Sequence, residues 1–404
     1  MKTKSIALSI FAATAVTVTF FPTLQQALAT TAKPNPINPV VTNSVTQIKQ
    51  PKIEVVFVLD TTGSMSGLIN AAKEKIWSIA STMASAQNAP NIKMGLVAYR
   101  DRGDAYITQR VALSYDLDSM YAKLMDLKAE GGGDTPESVN QALYEAVNKM
   151  DWDQDQQTYK VVFLVGDAPA HMDYQDDIKY PKTMAIAQQK GIIINAIQAG
   201  QNRATTANWQ QVATLGNGNF FQVEQTGNAV AIATPYDKKM AALSAQLDGT
   251  RMYYGDKKAK KKQANKVAAT AKLHNKASTE SKARRAAFNT SVSGKNNFLG
   301  DGELVDAIAS GRVELSSIAD KNLPESIQSM PREEQSTFLK NKAKQRKNIE
   351  TEMKILAEKR SVYLKKEVAA SGGKKDSLDA KIFSSIREQA KVKGLLYDEN
   401  SAKY

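Results

Sequence analysis

Residues 55–68 read VVFVLDTTGSMSGL, an apolar run that ends at Asp60 and continues directly into hydroxyl residues and glycine. Five apolar residues in succession indicate a strand that is covered on both faces, as strands of parallel sheets are. A carboxylate at the end of such a strand lies at the sheet edge where α/β folds place their functional sites. The stretch therefore predicts a buried parallel strand with a polar site at its carboxyl end.

Apolar runs and helical periodicity alternate along the chain up to residue 226. Strand-like patterns, with an antiparallel edge strand third and a short strand last, cover residues 53–59, 93–99, 106–113, 159–165, 191–199 and 219–223. Apolar side chains recur at helical spacing in residues 68–86, 136–149 and 178–190. We therefore predict a doubly wound α/β domain with a mainly parallel sheet over residues 52–235.

Composition and charge divide the chain near Pro235. The chain has 404 residues, 42% hydrophobic and 24% charged, which is typical of a folded globular protein. Residues 1–235 contain 19 basic and 20 acidic side chains, whereas residues 236–404 contain 35 basic and 21 acidic ones. Cysteine is absent, which excludes disulfides, thiolate metal sites and cysteine nucleophiles.

The first residues have the pattern of a secretory signal. Lysines near the start precede an apolar segment at residues 6–21, and Ala27 and Ala29 form a small-x-small cleavage site. We expect a signal peptide over residues 1–29 and a flexible, proline-containing leader over residues 30–51. The mature protein is then expected to be periplasmic or extracellular, with no membrane span after the signal is removed.

Three loops at the predicted carboxyl edge of the sheet contain oxygen ligands. Asp60, Thr62 and Ser64 alternate in the first loop, Thr135 lies in a glycine-rich loop ahead of a helix, and Asp167 follows the fourth strand. Such an all-oxygen set suits a hard divalent cation, Mg²⁺ first and Mn²⁺ or Ca²⁺ as alternatives. With two carboxylates only, the cation keeps positive charge for an acidic group from outside.

The blocks DTTGSM, AYRDRGD, GGGDTPES and VGDAPAH, in this order, resemble the metal-ion-dependent adhesion site of von Willebrand factor A (vWA) domains in an exported bacterial subfamily. The resemblance covers residues 52–224. It implies that Thr62 and Ser64 bind the metal directly, that Asp60 and Asp167 act directly or through water, and that Thr135 engages according to domain conformation. It also implies that a carboxylate of a protein or glycan ligand completes the metal shell.

Four further residues are candidates for a ligand-binding rim around this site. Asp101 and Asp104 are expected to shape a turn, and Asp134 is expected to act in its loop or as a helix cap. His171 follows the Asp167 loop, where it could line the site, but we expect a solvent-exposed loop histidine. Asp60, considered alone, could also cap the following helix. A helix cap would not need Thr135 and Asp167 from distant parts of the chain.

We expect a non-catalytic binding protein. The alternative is a metal-dependent hydrolase or phosphotransferase that uses Asp60 or Ser64, but Thr62 stands where a general acid would be needed and Ser64 has no evident base. A phosphate-binding Gly-x-x-x-x-Gly-Lys motif is absent from the sequence. A third hypothesis is a structural envelope protein in which the vWA domain is a passive module.

Residues 236–404 are predicted to be a basic, mostly helical region. Residues 331–368 indicate a long exposed helix or a short coiled coil, and residues 378–393 a final helix. Acidic residues of the segment 297–306, Glu303 among them, are interpreted as turn charges. The lysines alternate with alanine and glutamate rather than with stacking aromatics, so we expect an anionic envelope surface as partner and no nucleic acid.

Overall fold

The computed structural model of the protein describes residues 50–133, 135–227, 232–370 and 377–398. The predicted signal peptide, nearly all of the leader and the candidate rim residue Asp134 lie outside the described residues. Within the described residues, no helix is both long and apolar enough to cross a membrane.

Six strands form a single sheet in the order β3-β2-β1-β4-β5-β6. Their bounds are β1 Lys52–Asp60, β2 Asn91–Tyr99, β3 Thr108–Ser114, β4 Tyr159–Gly166, β5 Ile192–Ala199 and β6 Phe220–Val223. All neighbouring strands pair in parallel except β2 and β3, which are antiparallel. The predicted parallel sheet with one antiparallel edge strand is confirmed.

Helices cover both faces of this sheet. They are α1 Ser66–Met83, α2 Leu117–Leu124, α3 Val139–Asn148, α4 Tyr180–Gln189 and α5 Arg203–Leu215. Strand β1 explains why both faces must be covered: Val55 and Phe57 pack in the core that contains α1, whereas Val56 and Val58 pack in the core that contains α3. A continuous apolar run can be buried only in such a sandwiched strand. Helices α2 and α5 are not among the helices that the sequence pattern predicts.

Eight further helices make up the helical region after residue 236 in the described chain. They are α6 Asp237–Asp248, α7 Lys257–Lys276, α8 Thr279–Asn289, α9 Lys295–Leu299, α10 Leu304–Ala309, α11 Glu325–Gln328, α12 Arg332–Ala370 and α13 Leu378–Gln389. Helix α7 packs on α2, and both α8 and α13 pack on α1. The helical region is therefore built against the α/β domain on the side of α1 and α2.

Helix α12 is the long helix that the sequence predicts. It is 39 residues long and buries Leu339, Ile349 and Met353 against other helices of the same chain. Its Arg346 forms an ion pair of 2.8 Å with Glu303. Glu303 is only 3% exposed, so its interpretation as a turn charge was incomplete: the side chain caps α10 through the Asp306 N–H and also neutralises a buried arginine.

Candidate metal centre

The candidate site begins where β1 and β4 end side by side. Asp60 is the last residue of β1, and Asp167 follows Gly166 at the end of β4. A Cβ atom on Gly166 would lie 2.6 Å from Tyr99 Oη and 2.8 Å from Asp60 Cβ, so only glycine fits between the neighbouring strands. The close approach of these strands brings the two aspartates to one edge of the sheet, as the sequence predicts.

Asp60 is completely buried at this edge. Its Oδ1 accepts hydrogen bonds from the Thr62 N–H at 2.9 Å and from Thr62 Oγ1 at 2.7 Å. Its Oδ2 has no hydrogen-bond partner among the described residues. Burial, which disfavours the charged form, raises the pKa of Asp60 to about 7 despite the bonds from Thr62.

The first loop holds the hydroxyl groups of Thr62 and Ser64 close together. Thr62 Oγ1 lies 3.5 Å from Ser64 Oγ, and Thr62 is buried while Ser64 is exposed. A short helical turn, Gly63–Met65, connects this loop to α1. The Gly63 N–H donates to the carbonyl of Gly131 at 3.1 Å, which ties the first loop to the glycine-rich loop.

Asp167 is held in place by two side chains from later elements. Thr205 Oγ1 donates to the Asp167 carbonyl at 2.8 Å, and Gln225 Nε2 donates to Asp167 Oδ2 at 2.7 Å. Gln225 Nε2 also lies 3.1 Å from the carbonyl oxygen of Ser64. One glutamine therefore links the loops that follow β1 and β4.

A cleft of about 320 Å³ opens above these loops. Thr62, Ser64, Thr135 and Asp167 line it together, and Asp60 lies outside its lining. The structure thus brings four of the five predicted ligands to one cleft and places the fifth in direct contact with Thr62. The described residues that line the cleft include no lysine, arginine or histidine.

The rim candidates Asp101 and Asp104 form a turn beside the glycine-rich loop. The Asp104 N–H donates to the Asp101 carbonyl at 3.3 Å, which confirms the predicted turn. The Asp104 carboxylate accepts the N–H of Gly132, and the Asp101 carboxylate accepts Ser138 Oγ at 2.7 Å. Neither aspartate is among the residues that line the cleft. Through these hydrogen bonds, Asp101 and Asp104 hold the loops that line the cleft.

The prediction that His171 is solvent-exposed is wrong. The residue is 5% exposed, and its ring stacks on Tyr174 with the ring centroids 4.0 Å apart. Its Nε2 lies 3.4 Å from Asp101 Oδ2 and its Nδ1 2.8 Å from Asp173 Oδ1. The backbone N–H of His171 donates to the Glu137 carbonyl, and a parallel bridge pairs Glu137 with Ala170. These backbone contacts hold the loop that contains His171 against the segment that contains Glu137.

Comparison with known proteins assigns the α/β part of the chain to a family. Residues 54–233 match the family model described as the von Willebrand factor A domain. This part of the chain is a vWA domain. Two curated relatives match shorter stretches: an ariadne-like RING finger protein of Acanthamoeba polyphaga mimivirus, 30% identical over 122 residues, and von Willebrand factor A domain-containing protein 7 of Rattus norvegicus, 39% identical over 93 residues.

These two matches cover 30% and 23% of this chain and only 12% and 10% of the relatives' lengths. Among solved structures, proximal thread matrix protein 1 from the mussel byssus, with a zinc-occupied MIDAS motif, is similar over 44% of this chain and 42% of that chain, with 15% identity and a TM-score of 0.35. The SpRpn10 VWA domain is similar over 44% of this chain and 91% of its own, with 12% identity and a TM-score of 0.34.

Glu137 is a further residue of the vWA cleft and is not among the predicted ligands. It lines the cleft, is 3% exposed, and its Oε2 has no hydrogen-bond partner among the described residues. Burial, followed by the charges of Asp60 and Asp101, raises the pKa of Glu137 to about 9. One feature of the sequence could have indicated this residue: Glu137 lies two residues after Thr135, within the GGGDTPES block.

The residues of the vWA cleft fit a hard cation chemically. Carboxylate and hydroxyl oxygens are the donors that Mg²⁺, Mn²⁺ and Ca²⁺ prefer, and a buried carboxylate oxygen without a partner is costly until a cation or donor reaches it. In the described part of the chain, no cluster of three or more His, Cys, Asp or Glu side chains is arranged to hold a metal. The predicted set is of a different kind, because it combines two carboxylates with three hydroxyls.

Proposed function

We propose that the vWA domain is a non-catalytic binding module that holds a divalent cation in the cleft and recognises an acidic group on a protein or glycan ligand. The observation that carries this proposal is Asp60, a fully buried carboxylate whose Oδ2 lacks a hydrogen-bond partner among the described residues. A divalent cation bound there would supply positive charge to two carboxylates and an outside acidic group.

The chain's own residues would share this task. Thr62, Ser64 and Thr135 offer neutral oxygen ligands at the cleft surface, and Asp60 and Asp167 offer charge. Gln225 orients Asp167 by occupying its Oδ2. Since the chain offers five oxygen ligands, a six-coordinate cation would have one position left for an external carboxylate. We favour Mg²⁺, with Mn²⁺ and Ca²⁺ as alternatives.

A hydrolytic role for Asp60 or Ser64 has less support from the geometry. Asp60 lies outside the cleft lining, and its Oδ1 is engaged by Thr62. Ser64 Oγ lies 3.5 Å from Thr62 Oγ1, and a hydroxyl group is no general base near neutral pH. The cleft therefore suits binding better than nucleophilic attack.

The test is calorimetric titration of Mg²⁺, Mn²⁺ and Ca²⁺ into chelator-treated protein. We expect saturable binding by the full chain and a loss of at least about tenfold in affinity in the Asp60→Ala, Thr135→Ala double variant, since each removes an oxygen ligand. Asp301→Ala is the matched control, because Asp301 is an exposed carboxylate of the helical region. Equal binding by the double variant would refute the metal centre.

Recognition of an acidic ligand is tested with two immobilised peptides, one that contains aspartate and one in which asparagine replaces the aspartate. Retention of the chain on the aspartate peptide in Mg²⁺, and its release by chelator, is the expected result. Retention that ignores chelator would contradict recognition through a cation. The exposed lysines of α7, such as Lys257, Lys258 and Lys261, are proposed to add attraction to anionic envelope surfaces.

Export through residues 1–29 belongs to the same proposal. We expect the mature chain to begin at residue 30 in the periplasm or outside the cell. Mass spectrometry of the N-terminal peptide from the producing cell checks this, and an intact residue 1–29 segment in the mature protein would contradict it.

A further inference from the structure

A second pocket, of about 280 Å³, lies between α1 of the vWA domain and helices α8 and α12 of the helical region. It is far richer in basic and hydroxyl groups than the cleft. Its polar lining includes two arginines and several hydroxyl side chains, namely Arg284, Arg360, Ser78, Ser81, Thr290, Ser291 and Ser361.

Arg284 is the residue that makes this pocket unusual. Its side chain is 3% exposed, and its Nε has no hydrogen-bond partner among the described residues. Its contacts with Glu74 are long, 3.4 Å from Nη1 to the carbonyl and 4.0 Å from Nη1 to Oε2. Glu74 Oε2 already accepts Ser278 Oγ at 2.8 Å. A buried guanidinium is costly unless an anion pairs with it closely.

A second guanidinium faces the same pocket. Arg360 is 4% exposed and donates from Nε to Asp237 Oδ1 at 2.7 Å. Burial, and next the charge of Arg360, lower the pKa of Arg284, so the two groups are close enough to repel each other. Glu74, Asp237 and Asp379 act in the opposite direction but do not cancel the shift. An anion between the arginines would relieve the repulsion.

Two hydroxyl groups on α1 complete the donor set. Ser78 Oγ and Ser81 Oγ are buried and have no hydrogen-bond partner among the described residues. The hydroxyl of a serine or threonine in a helix usually donates to the carbonyl four residues earlier, as Thr82 Oγ1 does to the Ser78 carbonyl. At the solvent-facing side, the exposed Lys354 and Glu358 lie on α12 and balance each other in charge.

We propose that this pocket binds a phosphate group, either free phosphate or the monoester of a small molecule, through Arg284, Arg360, Ser78 and Ser81. Guanidinium groups match the oxygens of phosphate with paired N–H donors, and hydroxyls add further donors to a tetrahedral oxyanion. The pocket volume leaves room for a small organic group beside the phosphate. The observations are independent of the metal centre, so either site can fail without the other.

The experiment is titration of inorganic phosphate and, separately, glycerol phosphate into the full chain in chelator, followed by calorimetry. Chelator removes any contribution from a cation in the cleft. We expect saturable binding that weakens by about tenfold or more in Arg284→Gln, because a charge-assisted hydrogen bond is lost. Tighter binding of glycerol phosphate would assign the ester as the source, and equal binding would assign free phosphate.

Two further variants keep the test decisive. The Ser78→Ala, Ser81→Ala double variant removes hydroxyls without removing charge, and it decides the result if Arg284→Gln does not fold. Lys340→Gln removes an exposed charge from α12 at a position that does not line the pocket, and this variant should bind as the parent does. Binding that does not saturate, an equal loss in Lys340→Gln, or stronger binding of acetate than of phosphate would overturn the proposal.

Discussion

Two groups of buried carboxylates in this protein behave in opposite ways. At the vWA cleft, burial raises the pKa of Glu137, which lines it, to about 9 and that of Asp60, which lies against Thr62 of the lining, to about 7. Between α2, α6 and α8, Asp118 and Asp248 are also buried, yet their pKa values are lowered: burial opposes ionisation, but the charge and hydrogen bonds of Arg285, together with other nearby basic side chains, outweigh it. The difference is the presence of a cation within the chain.

Arg285 donates short hydrogen bonds to the carboxylates of both Asp118 and Asp248. Its Nε donates to Asp118 Oδ1 and its Nη2 to Asp118 Oδ2, both at 2.6 Å, and its Nη1 donates to Asp248 Oδ2 at 2.7 Å. The cleft carboxylates have no such partner among the described residues that line it. One cluster joins the helical region to the vWA domain, and the other is suited to a charge from outside.

The largest expected effect comes from breaking the satisfied cluster. Arg285→Met should destabilise the protein by about 3–5 kcal/mol, because it removes the two-pronged partner of buried Asp118 and one of the partners of Asp248. Urea unfolding of the full chain measures this. The control is Arg312→Met, which breaks an exposed pair with Asp306 and should cost less than about 1 kcal/mol. Similar losses in both variants would contradict the comparison.

The second effect is on pH dependence, and the two groups differ in sign. In chelator, stability should fall as pH rises from about 4 to 7, since the unfolded chain releases the Asp60 proton near pH 3.9 and the folded chain near 7. Glu137 extends this decline towards about 9. The contribution of Asp118 and Asp248 is instead present above about pH 4 and lost below it.

The measurement is the urea midpoint between pH 3 and pH 9 for the parent chain and Asp60→Asn, both in chelator. One proton corresponds to at most about 1.4 kcal/mol per pH unit. The asparagine variant lacks the titrating group, so its curve should decline less than that of the parent between about pH 4 and 7. Identical curves would show that Asp60 is not held in a neutral form.

A third, smaller effect concerns the close approach of β1 and β4. Gly166→Ala should cost about 1–3 kcal/mol, because the new methyl group meets Tyr99 Oη and Asp60 Cβ. Gly133→Ala is the matched control, since a Cβ there meets nothing within 4 Å. Melting temperatures of both variants check this, and an unperturbed Gly166→Ala would contradict the tight packing beneath the cleft.

The smallest effect is expected at Thr62. Thr62→Ser keeps the oxygen and removes one buried methyl group, so stability should fall by about 1 kcal/mol with cation affinity nearly unchanged. Thr62→Val keeps the shape but removes the hydroxyl that donates to Asp60, so affinity in the Mg²⁺ titration should fall and stability should fall by about 0.5–1.5 kcal/mol. Equal affinity in the two variants would remove Thr62 from the proposed ligands.

Much of the vWA domain was predictable because its signals are local. The continuous apolar runs of β1, β4 and β5 indicate buried parallel strands without knowledge of their neighbours. The topology of such sheets then places the ends of β1 and β4 at one edge, which is why Asp60 and Asp167 could be paired in advance. Helices α2 and α5 were not predicted, because α2 has only 8 residues and α5 contains few apolar side chains.

The sheet and the order of the oxygen-rich loops along the chain are predictable from the sequence alone, since both follow from composition and spacing within a few residues. Which charges are buried, and which partners they have, depends on the tertiary structure. Asp118, Asp248 and Arg285 lie far apart in the chain, and Glu137, His171 and Arg284 look like ordinary surface residues. Their desolvation depends on contacts between distant elements, and that information is absent from any local pattern.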